Sequence, residues 1–436
     1  MPEPRDPSIA APRRAHRSPT GLASESASAA PRASRRPMPA LAVRAAAALV
    51  VASAVVAAAQ AADCTHTATG LVPLLQLGSG LYLGQFQGGL YPGGSNLAPP
   101  PHHQSARAQA VAIVPRLPSG QPSFGGSVVL LSIGMSNTTM EFCGNGPGSD
   151  CAPGSFMDQA AASPFVDHAH VIAVDGAAGG QTAPTWNEPT DANYDRVRDQ
   201  ELLPRGLSEA QVGAVWIKVA DANPSVSLPA PNADAVQLSK DIAAIARAVR
   251  VRYPNCRIAF VSSRIYGGYA STTLNPEPYA YESGFAVKFA VTEQIAQEAG
   301  AAPSPGYGPL HIGADAPVLV WGPYLWADGL TPRGDGLVWE CDDFQADGTH
   351  PGPEGVEKVG SLLLGHFLAS PYAAPWFRAP KSADLDDSGL VDGADLAILL
   401  SGWGPCPGIG TCTADLDWDG FVGGSDLATL LAAWGS

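Results

Sequence analysis

Val128-Val-Leu-Leu-Ser-Ile-Gly-Met-Ser-Asn-Thr-Thr-Met140 decides the fold. Its apolar run stops abruptly at Gly134-Met135-Ser136-Asn137. Apolar residues closed by a glycine and small polar residues read as a buried strand ending in a tight turn. Ser136 then stands at the carboxyl end of a strand, where open α/β sheets place their ligand sites. A serine is a weak nucleophile without a base in hydrogen-bond reach. Asp347-Gly-Thr-His350-Pro-Gly-Pro offers such a base far downstream.

Outward from this stretch, short apolar segments alternate with helical patterns. Strands are expected at 128–133, 170–174, 215–219, 257–262 and 317–321. Between them, Ala235, Leu238, Ile242, Ile245 and Val249 recur at helical spacing within 234–252, and Pro254-Asn255 stops the run. Further helices are expected over 282–298 and 353–368, the latter with Pro353 in its first turn. The alternation predicts an α/β fold with a mostly parallel sheet covered on both faces. Residues 63–125 lack periodicity and read as an N-terminal arm and loops, with His102-His103 solvated in a Pro-rich stretch.

The 436 residues carry a formal charge of −15, unevenly spread. Residues 1–62 hold eight Arg and three acids, leaving 17 basic and 37 acidic residues in the remainder. That balance argues against nucleic acid or anionic lipid as a partner. Residues 1–37 have a disorder-prone composition. Arg44, the apolar run 45–59 and Gln60-Ala61-Ala62 follow a signal-peptide pattern, too short for a membrane span. An exported chain is expected. Seven cysteines fit that expectation. Cys143 with Cys151, and Cys406 with Cys412, are spaced for local disulfides, while Cys64, Cys256 and Cys341 leave one thiol over.

Acyl transfer needs a nucleophile, an oriented base and oxyanion donors. Ser136 is the nucleophile candidate, with His350 the base and Asp347, three residues before it, the orienting carboxylate. The Gly-rich stretch after the second strand, Val174 to Thr182, offers backbone donors, best at Gly180. Asn223, after the third strand, offers a side-chain donor, and Lys218 is an unusual charge at that strand's end. Arg264, Tyr266 and Tyr269 follow the fourth strand as cleft candidates. Trp321, Tyr324 and Trp326 follow the fifth as a stacking platform or as packing.

Gly134-Met135-Ser136-Asn137 resembles the Gly-x-Ser-Asn block of the SGNH hydrolases, close to their carbohydrate acetylesterase branches. Gly180 is similar to the second-block glycine, and Asp347-x-x-His350 to the last block. The resemblance spans about 125–370. It implies a flavodoxin-like α/β/α sandwich, a Ser136–His350–Asp347 triad and acetylated carbohydrate as the prior substrate, with no cofactor in the chemistry. The family's third block, Gly-x-Asn-Asp, is absent as such, and Asn223 or Lys218 stands in its place. A second reading is a non-catalytic extracellular binding or cell-surface protein on the same fold.

After a linker at 371–380, two copies of one pattern lie 31 residues apart, Ala383 to Leu396 and Ala414 to Leu427. A 12-residue calcium loop places ligands at positions 1, 3, 5, 7, 9 and 12. Here those are Asp384, Asp386, Ser388, the Leu390 carbonyl, Asp392 and Asp395. The second copy offers Asp415, Asp417, Asp419, the Phe421 carbonyl, a water at Gly423, and Asp426. Gly389 and Gly420 fill the sharp sixth position. Residues 381–436 resemble the dockerin type I module, which implies structural Ca2+ and a cohesin-like protein partner, with a self-contained surface-attachment role as the alternative. The expected organisation is a leader (1–62), an arm (63–125), a hydrolase-like domain (126–370), a linker and a calcium module (381–436).

Overall fold

A computed structural model of the chain describes residues 61–144, 150–407 and 412–436. The leader, including the apolar run 45–59, lies outside the described residues. No helix among the described residues is long and apolar enough to cross a membrane.

The architecture is α/β, with a five-stranded, wholly parallel sheet between layers of helices. Its strands are β1 (Val128–Gly134), β2 (Val171–Val174), β3 (Val212–Lys218), β4 (Ile258–Val261) and β5 (Val318–Trp321), in the order β2-β1-β3-β4-β5. Every residue of β1 and β3 is buried, as central strands of a doubly covered sheet require. The helices are α1 (Pro100–Val111), α2 (Ser136–Phe142), α3 (Asp234–Arg252), α4 (Tyr279–Glu298) and α5 (Pro353–Ala369). α3 packs on α4, and α2 on α5. From β1 the chain steps outward to β2, then returns past β1 to β3, so the strand order reverses at β1. The carboxyl end of β1 is therefore the switch point, and Ser136 opens α2 there.

Glycine is needed at that turn. A Cβ on Gly134 would stand 2.2 Å from the Lys218 carbonyl oxygen and 2.3 Å from Thr138 Oγ1. Only a bare Cα lets β1 and β3 close up and α2 start at once.

Three expectations are corrected. Pro99 to His103 does not form a loop: Pro100 and Pro101 occupy the first turn of α1, where a missing N–H costs nothing. His102 is buried rather than solvated, with Nε2 2.9 Å from the Leu319 carbonyl oxygen of β5. The stretch 371–379 is no free linker. Its Tyr372, Trp376 and Phe377 sink into the core, and Ala374–Phe377 coils into a short helix. Aromatic area of that size is too costly to leave in water.

The tail builds two loop–helix units ending in α6 (Gly393–Ser401) and α7 (Gly424–Ala432), with a small core around Leu399, Leu416, Val422 and Leu430. It is gripped at Trp418, whose ring lies 3.3 Å from the Arg378 guanidinium carbon and 3.9 Å from Lys381 Nζ. Trp418 Nε1 also donates to the Ala379 carbonyl at 2.9 Å. Disulfides join Cys143 to Cys151, Cys406 to Cys412 and Cys64 to Cys341, and Cys256 is the buried free thiol.

Candidate active site

The two sequence blocks meet. His350 Nε2 lies 2.8 Å from Ser136 Oγ, and His350 Nδ1 lies 2.5 Å from Asp347 Oδ2. The second contact fixes the tautomer in which Nδ1 carries the hydrogen and Nε2 faces the serine. Burial works to raise the Asp347 pKa, but the His350 and Thr349 N–H groups and the imidazole outweigh it, and the carboxyl is held below its usual range. Gly348 makes the turn between them with φ +65°, where a Cβ would fall 2.0 Å from the Tyr269 carbonyl oxygen.

The turn at Ser136 is tied to neighbouring segments by the side chains that follow it. Asn137 Nδ2 donates to the Thr349 carbonyl at 2.9 Å, linking Ser136's neighbour to His350's neighbour. Thr138 Oγ1 donates to the Lys218 carbonyl at 2.6 Å. Thr139 Oγ1 donates to Asp175 Oδ2 at 2.5 Å. Glu141 takes both its oxygens to Lys218 Nζ. Asn137 belongs to the Gly-x-Ser-Asn block, but none of Thr138, Thr139, Glu141 and Asp175 stood out in the sequence as functional. The one available signal was Asp175, a carboxylate closing an apolar strand just before a Gly-rich loop.

Lys218 is fully buried and faces Glu141, not solvent. Burial pushes the ammonium down to about 8 and the Glu141 carboxyl up, while each charge favours the other. Lys218 has no open route to a substrate oxygen. Arg264 is 4% exposed, with Nη1 3.9 Å from Met135 Sδ and no partner for Nε among the described residues. Tyr266, Tyr269, Trp321, Tyr324 and Trp326 are buried and build no exposed cleft wall or stacking platform beside Ser136. Tyr269 OH, for example, donates to the Trp339 carbonyl at 2.8 Å.

Gly180 sits exposed at φ +76°. No acceptor bonds its N–H or that of Gly179 among the described residues. Ala178 N–H ties the loop to the Ser136 turn, donating to the Gly134 carbonyl at 3.2 Å. Ser136 N–H, at the opening of α2, has no intrahelical acceptor. Asn223 is exposed, and its Oδ1 accepts from Thr273 Oγ1 at 2.5 Å, leaving Nδ2 as the free donor. Thr272 in turn lies 3.4 Å from Thr349, oxygen to oxygen. The rim near the triad thus carries hydroxyl and amide groups. A separate cavity of about 770 Å³ is lined by Leu90, Tyr91, Trp321, Tyr324 and Tyr372.

In the tail, carboxylate oxygens of Asp384, Asp386 and Asp395 lie within 4.8 Å of one another, as do those of Asp415, Asp417 and Asp419. Asp415 Oδ1 is buried without a partner among the described residues. Asp392 caps α6 by accepting from Ala394 N–H at 2.8 Å and stands outside the first cluster. Asp426 lies outside the second cluster and accepts from the Leu416 and Gly423 N–H groups. Ser388 Oγ donates to the Leu390 carbonyl at 3.2 Å.

No protein-family model matches the chain, and no curated protein matches it. Among solved structures, the salicylyl-acyltransferase SsfX3 from a tetracycline biosynthetic pathway shares 13% identity over 56% of this chain and 55% of its own, with a TM-score of 0.30. A family two carbohydrate esterase from Clostridium thermocellum, solved with cellohexaose, shares 18% over 55% of this chain and 63% of its own, with a TM-score of 0.31. An extracellular lipase from Streptomyces rimosus shares 14% over 55% of this chain and 100% of its own, with a TM-score of 0.29. This chain thus spans about half of the acyltransferase's length.

Proposed function

We propose that this chain is an exported serine esterase that removes short acyl groups, acetyl foremost, from carbohydrate. The observation that carries the reading is the continuous hydrogen-bonded line Ser136 Oγ–His350–Asp347 at the sheet's switch point. Ser136 Oγ attacks the ester carbonyl carbon while its proton passes to His350 Nε2. Asp347 holds the imidazole and offsets the imidazolium charge. The carbonyl oxygen becomes an oxyanion facing the N–H groups of Ser136 and Gly180, with Asn223 Nδ2 as a third donor. The intermediate collapses as His350 returns its proton to the leaving alcohol, giving the acyl-enzyme. Water, deprotonated by His350, then attacks the acyl carbon and frees the carboxylic acid and Ser136. The hydroxyl and amide rim formed by Asn223, Thr272 and Thr273 suits a polar alcohol such as a sugar.

The tail fits calcium. Each loop gathers three carboxylates, and the unpartnered Asp415 oxygen calls for a cation. Asp384, Asp386, Ser388, the Leu390 carbonyl, Asp392 and Asp395 would hold one ion. Asp415, Asp417, Asp419, the Phe421 carbonyl and Asp426 would hold another. The ions neutralise clustered carboxylates and so order the loops. The module so ordered docks onto a cohesin-like partner or another surface.

Release of acid from 4-nitrophenyl acetate, and of acetate from a panel of acetylated glycans, tests the reading. Turnover that depends on Ser136 supports it. No turnover on any ester leaves the non-catalytic binding protein as the better account.

A further inference from the structure

We infer that Asp175 is a positioning residue of this site, clamping the loop that carries Gly180 against the nucleophile turn. The inference rests on the esterase reading and adds to it the group that sets the oxyanion donors.

Asp175 follows β2 directly and is buried. Its Oδ1 accepts from Ser132 Oγ at 2.5 Å, and its Oδ2 accepts from Thr139 Oγ1 at 2.5 Å. Ser132 lies on β1, four residues before Ser136, and Thr139 lies on α2, three residues after it. One carboxylate therefore grips both arms of the nucleophile turn. The same atoms shape the loop. Ala177 N–H reaches Asp175 Oδ1 at 3.2 Å and Ser132 Oγ at 3.1 Å, and Gly176 N–H reaches Ser132 Oγ at 3.0 Å. These bonds turn the first N–H groups of the loop inward, and those of Gly179 and Gly180 remain free. No lysine or arginine within salt-bridge distance pairs with Asp175 among the described residues. Arg196, whose charge acts on Asp175, donates instead to the Gly176 carbonyl at 2.5 Å and pairs with Glu201 at 3.6 Å. A buried carboxylate without a partner cation costs stability that a neutral residue would not. Such departures from the rules of stability mark functional sites.

The charge state matters to the clamp. Burial, with Glu201 adding to it, works against the ionised form, and the hydroxyl and N–H donors work for it; Arg196 is the facing cation. The net result is a pKa pushed up to about 7. Above that pH the carboxylate accepts from both hydroxyls. Below it the carboxyl carries a hydrogen of its own, and one hydroxyl must turn away. The clamp therefore tightens as pH rises through about 7.

The test compares the full chain with Asp175→Asn, Thr139→Val and Ser136→Ala on 4-nitrophenyl acetate, with a phenylboronic acid as the tetrahedral-anion mimic. A displaced oxyanion donor costs about 10²-fold in rate. Asp175→Asn is expected to lower kcat about 10²-fold with KM within about twofold, and to weaken boronate binding by a similar factor. Thr139→Val should lose about tenfold in both. The acid limb of the wild-type pH–rate profile should carry an extra ionisation near 7 that Asp175→Asn lacks. Ser136-dependent turnover that survives Asp175→Asn within twofold, or a variant that loses thermal stability but keeps boronate affinity, overturns the inference and leaves the esterase reading standing. If Asp175→Asn does not fold, Thr139→Val decides: unchanged kcat and boronate affinity overturn it. Wild-type turnover that Ser136→Ala does not reduce sinks the esterase reading, and this inference with it.

Discussion

Replacing Lys218 by Met should destabilise the protein sharply, although Lys218 touches no solvent. Lys218 and Glu141 are both 0% exposed and bonded to each other. Removing the ammonium strands a buried carboxylate on α2, the helix that Ser136 opens. Breaking a buried pair costs about 3–5 kcal/mol, and full burial leaves no solvent screening to reduce it. At roughly 2–4 °C per kcal/mol, the melting temperature should fall by about 10 °C. Glu141 is already pushed up by burial, so losing Lys218 raises it further. The variant's deficit should therefore shrink as pH falls and Glu141 takes up a proton. The double variant Lys218→Met/Glu141→Leu should recover most of the loss, because a neutral pair of similar volume leaves nothing unpaired. Urea and thermal unfolding followed by circular dichroism read these differences. A single variant within about 1 kcal/mol of wild type, or a double variant no better than the single, would refute the reasoning.

Ser136→Ala should lower ester hydrolysis by about 10⁴-fold or more while the circular dichroism spectrum stays unchanged; full activity would remove Ser136 from the chemistry. Asn223→Ala should lower kcat about 10²-fold if its free amide meets the oxyanion, and a rate within twofold of wild type takes Asn223 out of that pocket. Calcium added to the chelator-treated full chain should change tryptophan fluorescence and raise the tail's unfolding temperature, with esterase turnover unaffected; no response at about millimolar calcium argues against paired calcium loops.

The sequence made periodic elements legible. α3 spans the expected residues, Asp234–Arg252, because its apolar stripe is regular and Pro254 follows at once. The strands were located by apolar runs between turn residues, though β3 begins earlier, at Val212, since burial on both faces erases any alternation there. α1 was missed because prolines in a first turn look like loop. Its stability comes from Ala106 and Ala110 packing into the core, which local propensity does not register. At the site, Ser136, Asp347 and His350 were found as short motifs. The Glu141–Lys218 pair and the Asp175 clamp join residues 77 and 36 positions apart, from Glu141 to Lys218 and from Thr139 to Asp175, and no local pattern encodes such pairings. The aromatic residues after β4 and β5 misled in the opposite direction. They are on the expected edge, but their rings turn inward, a choice made by packing rather than by position in the chain.

The cationic sandwich around Trp418 changes what the tail can be. A flexible tether lets a tethered catalyst sample a sphere whose radius grows with the square root of its length. Here Arg378 and Lys381 stack on one indole, and the segment before them is sunk in the core. The tail is a bracket, not a leash. Whatever it holds would be presented to Ser136 at one distance and one angle. Local concentration would then be high for esters at that spot and no higher than in bulk solution elsewhere. Under the proposed function, an esterase so held would clear a fixed patch beside its mooring, and coverage of a wider surface would depend on how often it let go and settled again.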